Sequence, residues 1–287
     1  MAPKVSIIVP VYLQWPLVEV LLAHLSRQTL AADAFEVVLV DNELAGNAIP
    51  SPLPDHVTIV DCPEPGSYAA RNAGAARSVG EWLAFTDADC RPTPDWLAAL
   101  LRAGAHAPDA LHAGPVALVS ATATPNAYEQ FDMVKGIPQH RYVKRGYAAT
   151  ANLFVRRAVF DAVGGFDATR LSGGDAEFCR RAGSRGYPIH FVADAIVQHP
   201  ARGTFAQLST KTRRIKGGQL TKGPLRRRLG FAMQTFLPPV MSISQFLCRG
   251  GHPLRYRLTA VAVRLRLWTV EMREALRLAF GSPPDRR

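Results

Sequence analysis

Two aspartates stand one residue apart directly after a short apolar run. The run is WLAF at 82–85, and the carboxylates are Asp87 and Asp89. Carboxylates at this spacing suit a hard divalent cation such as Mg²⁺ or Mn²⁺, which takes oxygen ligands and shares them with the phosphates of a substrate. The alternative is a turn or helix cap ahead of Pro92, because aspartate favours both positions. The pattern therefore predicts either a metal site at the end of a buried strand or a local turn.

Asp175 is the second candidate for chemistry. It follows Gly173 and Gly174 at the predicted start of a helix, where a carboxylate can face a cleft. Transfer of a group to a hydroxyl needs a general base that removes the hydroxyl proton during the attack. The alternative is a helix N-cap, a position that aspartate also prefers. The spacing by itself leaves both interpretations open.

Short apolar runs alternate with helical segments through the first part of the chain. Four runs predict strands, at 5–9, 35–40, 57–60 and 81–86, and an alanine-rich helix is predicted at 67–77. Such alternation predicts an α/β fold with a doubly wound, mostly parallel sheet flanked by helices.

Three aspartates fall where these predicted strands end. Asp41 follows the second strand, and Asp87 and Asp89 follow the fourth. Ligands bind a doubly wound sheet outside the carboxyl ends of its strands. The fold therefore explains why acidic residues follow apolar runs: they lie at the rim where ligands collect.

The positive charge of the chain is concentrated at its C-terminal end. The 287 residues have a net charge of +11. Residues 211–287 carry 17 Lys and Arg against 3 Asp and Glu, whereas residues 1–210 carry 17 against 20. This asymmetry predicts a basic appendage that meets an anionic partner, with an anionic membrane surface as one candidate. A nucleic-acid partner is disfavoured, because the basic clusters contain neither interleaved aromatic residues nor a reading helix.

The composition is that of a globular protein, 48% hydrophobic and 20% charged. The four cysteines form no C-x-x-C pair, which argues against a zinc ribbon or a disulfide scaffold and predicts a reducing, cytoplasmic compartment. The short apolar run at the N-terminus is broken by Pro10, so we interpret it as the first strand rather than a signal peptide.

The basic appendage is predicted to be helical and amphipathic. Residues 231–248 contain no charge but include a Pro-Pro break, which favours an interfacial or re-entrant segment over a spanning helix. A last helix is then predicted to carry an apolar stripe, which packs on the main domain or lies on a membrane. The members of that stripe are Leu258, Val261, Leu265, Trp268, Met272, Ala275 and Ala279.

Five segments, in this order and at this spacing, resemble family 2 glycosyltransferases of the GT-A fold. They are VSIIVPVY, VLVDN, GSYAARNAGAARSVGEWLAFTDADCRPTPDWL, VGGFD and GGDAEFCRRAGSRGY, and they span about residues 4–200. The resemblance implies a GT-A-type sheet that binds a nucleotide-diphospho-sugar. It also implies a metal-dependent, inverting transfer of the sugar to an acceptor hydroxyl.

The resemblance implies a role for several of these residues. Asp41 would contact the nucleoside base, Arg71 would lie near the nucleotide, and Asp87 would face the sugar or ribose. Asp89 would bind Mn²⁺ or Mg²⁺, and Asp175 would be the catalytic base.

Four further residues are expected at the same site. Pro10, Tyr12 and Ala88 are expected to contribute to the nucleotide-sugar site, because they lie in the segments that carry the resemblance. His199 is expected to be a further metal ligand, since related enzymes often have a histidine or an acidic residue there. The alternative is that this histidine, which precedes Pro200, is a turn residue.

The chain departs from the usual family pattern at three places. Leu13 stands where an asparagine often follows PVY, and DNEL at 41–44 replaces the frequent VDDGS. These two changes leave the nucleotide open, with a UDP-sugar favoured. Gly174 replaces the acidic residue that commonly precedes the base, which leaves one carboxylate in the acceptor site.

We expect a catalytic domain at 1–210, with its acceptor side at about 106–210, and a basic helical region at 211–287. The expected acceptor is a saccharide or a lipid-linked molecule in bacterial cell-surface polysaccharide or glycolipid assembly. The expected location is the cytoplasm or the cytosolic face of the membrane. Two alternatives stay open: an inactive sugar-nucleotide-binding protein, which the glycine at 174 would suit, and a nucleic-acid-binding protein that uses the basic region.

Overall fold

A computed structural model describes residues 3–43, 52–170 and 172–284 of the protein. Two compact units divide the chain. The first comprises residues 1–117, 137–169 and 174–199, and the second comprises residues 118–136, 170–173 and 200–287.

A seven-stranded sheet forms the centre of the first unit, in the order β3-β2-β1-β4-β8-β6-β9. The strands of the described residues are β1 (Val5–Val11), β2 (Phe35–Asp41), β3 (Val57–Asp61), β4 (Trp82–Phe85), β5 (Arg91–Pro92), β6 (Leu111–Ala113), β7 (Val116–Val119), β8 (Leu153–Arg156), β9 (Ile189–Phe191) and β10 (Val197–Pro200). The predicted doubly wound, mostly parallel sheet is confirmed. One strand differs: β8 is antiparallel to both of its neighbours, β4 and β6.

Strand β1 occupies the middle of the parallel part, between β2 and β4. All of its residues except Pro10 are buried. A strand covered on both faces needs a continuous apolar run rather than an alternating one, which is what VSIIVPV supplies. The strand is therefore a rigid support for the loops that follow β1, β2 and β4 at one edge of the sheet.

Helices cover the sheet and build the second unit. In the described part of the chain they are α1 (Trp15–Leu25), α2 (Ser67–Arg77), α3 (Trp96–His106), α4 (Ala127–Lys135), α5 (Gln139–Val143), α6 (Arg157–Val163), α7 (Gly174–Ser184), α8 (Phe205–Thr221), α9 (Leu225–Phe236), α10 (Val240–Leu247) and α11 (Leu254–Ala279). Helix α2 packs very closely on the sheet, because a Cβ at Gly74 would lie 2.7 Å from side-chain atoms of Ile8 and Val40.

A second, three-stranded sheet has the order β5-β10-β7. Its antiparallel pairing sets Gln198 opposite Arg91 and Val197 opposite Pro92. The short strand β5 follows the Asp87–Asp89 turn immediately. The pairing therefore holds the chain around residue 199 against that turn.

The second unit is a helical assembly around its own apolar core. Phe131, Leu208, Phe246, Val263 and Leu267 are among the buried residues of this core. Helix α8 runs through position 210 without a break. The predicted boundary at 210, between a catalytic domain and a basic region, therefore falls inside a continuous helix. It stays a prediction about function.

The predicted apolar stripe of the last helix is only partly right. Leu258 and Leu265 are exposed, whereas the buried face of α11 carries Ala260, Val263 and Leu267. The helix also contains buried Glu274, so the period of apolar residues alone did not identify the face that packs.

The uncharged segment 231–248 is broken, as expected, at its two prolines. Helix α9 ends before Pro238 and Pro239, and α10 begins immediately after them. No helix in the described ranges is long and apolar enough to cross a bilayer.

Candidate active site

The two neighbouring aspartates lie on a tight turn at the carboxyl end of β4. The amide of Cys90 donates to the carbonyl of Asp87 at 3.0 Å, which closes the turn. The hydroxyl of Thr86 donates to the carbonyl of Ala151 at 3.0 Å and fixes the start of the turn. The carboxylates are thus presented by buried, hydrogen-bonded backbone.

Three side chains at this turn come close enough to share a cation. One ligand atom from each of Asp87, Asp89 and Cys90 lies within 4.8 Å of the others. Burial raises the pKa of the Cys90 thiol well above its usual value, with the charges of Asp87 and Asp89 acting in the same direction. Because Mg²⁺ and Mn²⁺ prefer oxygen ligands to sulfur, the carboxylates of Asp87 and Asp89 are the better candidate ligands of the three.

His199 lies beside this turn rather than in a loop. It is a buried residue of β10, and its Nε2 atom is 3.4 Å from Oδ2 of Asp89. The pairing of β10 with β5 brings the two residues together across more than a hundred positions of sequence. The structure thus places both predicted metal ligands next to each other, and the chemistry of the donors, carboxylate and imidazole, suits Mn²⁺.

Arg71 pairs with the first aspartate of the turn. Its Nη2 atom is 2.5 Å from Oδ1 of Asp87, and the arginine side chain is only 4% exposed. The other terminal nitrogen of Arg71 donates to the carbonyl of Ser67 at 3.3 Å. A guanidinium held in this way orients Asp87 and offsets part of the negative charge of the turn.

Asp175 lies in the first turn of α7 and faces α2. Its Oδ1 atom accepts a hydrogen bond from the amide of Ala176 at 2.8 Å and lies 3.5 Å from the hydroxyl of Tyr68. Burial raises the pKa of the Asp175 carboxyl, and the nearby charge of Asp87 adds to the increase, whereas Arg71 opposes it. These electrostatic links place Asp175 in the same site as the Arg71–Asp87 pair.

Tyr68 is a site residue that the sequence pattern did not indicate. It is buried, and burial together with the charge of Asp175 raises the pKa of its hydroxyl to about 12. The hydroxyl is therefore a proton donor at neutral pH and aims at the carboxylate. We expect Tyr68 to position Asp175.

The glycine at 174 has a steric cause. A Cβ at this position would lie 2.7 Å from Cε2 and 2.8 Å from Cζ of Tyr68. No larger side chain fits while the tyrosine ring is there. The acidic residue that the family often has is thus replaced by a packed tyrosine hydroxyl beside the remaining carboxylate.

Asp41 and its neighbour Asn42 end strand β2. Oδ1 of Asp41 accepts from the amide of Glu43 at 3.0 Å. Asn42 is buried and donates to the carbonyls of Cys62 and Glu64, at 2.8 and 2.6 Å. Its Oδ1 also accepts from the amide of Gly66 at 2.9 Å, just before α2. The asparagine that departs from the family pattern therefore anchors the helix that carries Arg71.

The remaining predicted residues lie at the ends of β1 and β4. Pro10 and Tyr12 are half-buried, the former opposite Val40 in the sheet. Ala88 is fully buried, so its side chain packs in the core between the two aspartates. Leu13 has a left-handed backbone, with φ of 55°, and is 62% exposed. Leu44, the last residue of the DNEL segment, lies outside the described residues.

Comparison with known families agrees with this geometry. The sequence model of Glycosyl transferase family 2 matches residues 6–168, which is more than half of the chain. The match begins at the second residue of β1 and includes β2, β4 and both aspartates of the turn. The chain belongs to glycosyl transferase family 2. The enzyme is a glycosyltransferase, as predicted from the five segments.

Relatives of this glycosyltransferase extend the likeness over the whole chain. It is 34% identical to the glycosyltransferase AglE of Haloferax volcanii, and the alignment covers 97% of this chain and 96% of AglE. The alignment therefore includes the C-terminal part of the chain, which lies beyond the residues that the family model matches.

Solved structures agree on the fold. The mannosyltransferase PcManGT from Pyrobaculum calidifontis, in complex with GDP-Man and Mn²⁺, matches 98% of this chain and 77% of its own, with 18% identity and a TM-score of 0.56. S. aureus TarS 1-349 in complex with UDP-GlcNAc matches 97% of this chain and 92% of its own, with 16% identity and a TM-score of 0.54. The GT-A architecture expected from the sequence is thereby confirmed.

Proposed function

We propose that this glycosyltransferase moves a sugar from a nucleotide-diphospho-sugar to an acceptor hydroxyl, with inversion at the anomeric carbon. One observation carries the proposal: carboxylates in two different environments meet in one site. Asp89 lies beside His199 and suits a metal, whereas Asp175 is desolvated, has a raised pKa and suits a base. When their environments push the pKa values of two carboxylates in one site apart, one carboxylate can act in acid–base chemistry and the other can stabilise charge.

Asp89 and His199 would hold Mn²⁺ or Mg²⁺, with Asp87 close to the same position. The metal would supply neutralisation of the charge that develops on the diphosphate as it departs. Arg71 would hold the Asp87 carboxylate toward the sugar or ribose of the donor, since the two side chains are 2.5 Å apart. The Mn²⁺ and GDP-Man of the PcManGT complex support a metal and a nucleotide sugar as ligands.

The nucleotide would lie at the edge formed by the ends of β1 and β2. Asp41 would contact the base there, with Pro10 and Tyr12 beside it on the neighbouring strand and the backbone of Ala88 near the sugar. We favour a UDP-sugar as donor. The UDP-GlcNAc complex of TarS supports this choice, and the GDP-Man complex of PcManGT names the competing nucleotide to be tested.

Asp175 would take the proton of the acceptor hydroxyl while the hydroxyl oxygen attacks the anomeric carbon. A raised pKa brings the basicity of a carboxylate closer to neutral pH, where general-base catalysis is most effective. Tyr68 would keep the carboxylate in one rotamer through its hydroxyl, 3.5 Å away. The proposed acceptor is a saccharide or lipid-linked molecule of cell-surface polysaccharide or glycolipid assembly.

We also propose that the second unit attaches to the cytosolic face of an anionic membrane. Helix α9 has an apolar stripe, with members three or four residues apart, that is open to solvent. Its members, Leu225, Leu229, Met233 and Phe236, are 46 to 74% exposed. Arg226, Arg227 and Arg228 interrupt the stripe's first turn, and each arginine near anionic headgroups contributes about 1 kcal/mol. An exposed apolar face with a basic border is the pattern of a helix that lies in a membrane interface.

Donor turnover tests the enzymatic proposal. The wild-type protein should hydrolyse or transfer from a UDP-sugar in the presence of Mn²⁺, and Asp89→Ala should abolish turnover and weaken donor binding while the protein stays folded. Full activity in excess chelator would refute the metal-linked mechanism. Tight donor binding without turnover under any metal would instead identify an inactive sugar-nucleotide-binding protein.

Vesicle flotation tests the membrane proposal with the full-length chain. Wild type should float with anionic vesicles, and less so at high salt. The double variant Leu229→Ser/Met233→Ser should lose most of this binding. Leu13→Ser/Val79→Ser is the matched control, because these two residues are 62 and 64% exposed in the first unit. Equal flotation of both double variants and wild type would refute the attachment through α9.

A further inference from the structure

The second unit contains a cavity that none of the proposed catalytic residues lines. Its volume is about 470 Å³, within the range of small-molecule sites. Its lining comes from α8, α9, α11, the end of α4 and residues 237–242, which comprise the link after α9 and the first turn of α10. The cavity therefore belongs to the basic, helical part of the chain.

The charged side chains of the lining are mostly cationic. Lys135, Lys216 and Arg264 face the cavity, against one carboxylate, Glu271. Glu271 is already paired with Arg264, with 3.1 Å between Oε2 and Nη2. Two cations of the lining are then left outside this pair, the buried Lys216 and the exposed Lys135, and their positive charge suits an anion.

Lys216 is the most deeply buried of these cations. The residue is 7% exposed, and its Nζ atom donates to the hydroxyl of Thr235 at 3.0 Å. In the described part of the chain, the ammonium group of Lys216 makes this one hydrogen bond, to a neutral hydroxyl. An ammonium group can donate three hydrogen bonds. Burial lowers the pKa of Lys216, and the nearby charge of Glu271, which is itself paired with Arg264, opposes this lowering only in part. A bound anion would oppose it further.

The mouth of the cavity is apolar and exposed. Leu237, Val240 and Met241 line the cavity and are 64, 64 and 72% exposed. They flank the Pro-Pro break and follow the apolar stripe of α9 along the chain. A ligand that enters here meets an apolar surface outside and ammonium and guanidinium groups inside.

We propose that this cavity binds the phosphate group of a lipid, with the apolar chain lying over the 237–241 segment. A phosphate monoester carries up to two negative charges and several acceptor oxygens, which matches this positive charge and the unused donors of Lys216. The inference rests on the proposed membrane attachment and deepens it, because it names the lipid group that is recognised. It is independent of donor binding and of sugar transfer.

Calorimetric titration of the full-length protein with dodecyl phosphate below its micelle concentration tests the site. No metal or sugar nucleotide is present, so the result does not depend on catalysis. Wild type should bind dodecyl phosphate more tightly than inorganic phosphate, and dodecanol should bind weakly. Lys216→Met should weaken dodecyl phosphate binding about tenfold or more, because it removes a charge-assisted hydrogen bond. Lys222→Met is the matched control, since this lysine is exposed at the end of α8.

A second variant keeps the test decisive if Lys216→Met does not fold. Met241→Glu places a negative charge at the exposed mouth and should weaken dodecyl phosphate binding severalfold. Met233→Glu is its matched control, because Met233 is 74% exposed and does not line the cavity.

Several outcomes would overturn the proposal. They are the absence of dodecyl phosphate binding by wild type, unchanged dodecyl phosphate affinity in both Lys216→Met and Met241→Glu, and dodecanol binding as tight as that of dodecyl phosphate. Equal affinity for inorganic phosphate and dodecyl phosphate would assign the site to a soluble phosphate compound and refute the lipid. Loss of dodecyl phosphate binding in Lys216→Met with flotation retained would support the cavity and separate it from attachment through the α9 stripe.

Discussion

Replacing Asp175 by asparagine separates the basicity of this residue from its geometry. The Oδ1 atom of asparagine can still accept from the amide of Ala176 and the hydroxyl of Tyr68, which lie 2.8 and 3.5 Å from the aspartate oxygen. The substitution adds no volume, so the first turn of α7 should keep its conformation. What disappears is the ability to accept a proton.

The expected loss follows from that difference. General-base catalysis contributes about 10²- to 10⁴-fold, which is about 3 to 5.5 kcal/mol of activation free energy. Because both hydrogen bonds to Oδ1 can persist, we assign the whole loss to chemistry and expect kcat to fall at least about a hundredfold. Donor affinity should change little, because no contact of Asp175 with the nucleotide side is part of the proposed mechanism.

Single-turnover transfer and calorimetric donor binding measure the two quantities separately. Asp161→Asn is the control, because Asp161 is exposed on α6 and the substitution makes the same chemical change away from the site. A rate for Asp175→Asn within about threefold of wild type would refute the base and return Asp175 to a structural role at the start of the helix.

The same substitution has a pH signature in stability. Burial raises the pKa of Asp175 in the folded state, so the folded protein favours the protonated acid. The stability associated with this group is complete below the ordinary carboxyl pKa and is lost as the pH rises through the raised value. Asp175→Asn should therefore melt at a higher temperature than wild type at neutral pH, and the difference should vanish in acid. The rate of wild type should rise with pH over the same interval.

Three further predictions concern particular residues. Leu13→Asn should stabilise the protein by about 1 kcal/mol in urea denaturation, because asparagine tolerates the left-handed backbone at φ of 55°, whereas Leu13→Ala should not. Gly174→Ala should destabilise by about 1–3 kcal/mol through its clash with Tyr68, and the sign should reverse in a Tyr68→Ala background, where the higher helix propensity of alanine decides. Burial and the charges of Arg202 and Lys135 lower the pKa of Lys211 to about 7, so Lys211 destabilises the folded protein increasingly as the pH falls from about 10.5 toward 7. Lys211→Met should therefore raise Tm most below pH 7 and least near pH 10. The control Lys222→Met, at an exposed lysine, should leave Tm unchanged at both pH values.

The local part of the fold was predictable because its pattern is local. The strands at 5–11, 35–41 and 82–85 are short, mostly apolar runs, and the helix at 67–77 is an alanine-rich segment. Each needs only its own residues to be recognised. The acidic ends of β2 and β4 then follow from the geometry of a parallel sheet.

Features that depend on distant residues were not visible in the pattern. The antiparallel insertion of β8 beside β4 joins Leu83 to Val155, and no local period encodes the direction of that pairing. The buried face of α11 contains Glu274, which an apolar count assigns to solvent.

The candidate site divides in the same way. Asp87, Asp89 and Asp175 are indicated by their residue types and spacing, and His199 by family resemblance. The sequence signal for Tyr68 is indirect: a glycine at 174, beside the predicted base Asp175, indicates that another side chain occupies the space there. That inference needs the contact between α2 and α7, which the sequence does not display.

The pairing of β5 with β10 has a consequence for the order in which the protein acquires its active form. Strands β1, β2, β3 and β4 and helix α2 lie within the first 85 residues and make parallel contacts of modest sequence separation. Val197 and Pro92 close a far longer loop, and the entropy cost of closing that loop must be met before their contact can form. During synthesis the sheet edge with Asp41, Asp87 and Asp89 can exist before His199 has left the ribosome. A nascent or partly opened chain would therefore have Asp87 and Asp89 in place without the imidazole of His199. Tight metal binding would then indicate that β10 has joined the sheet.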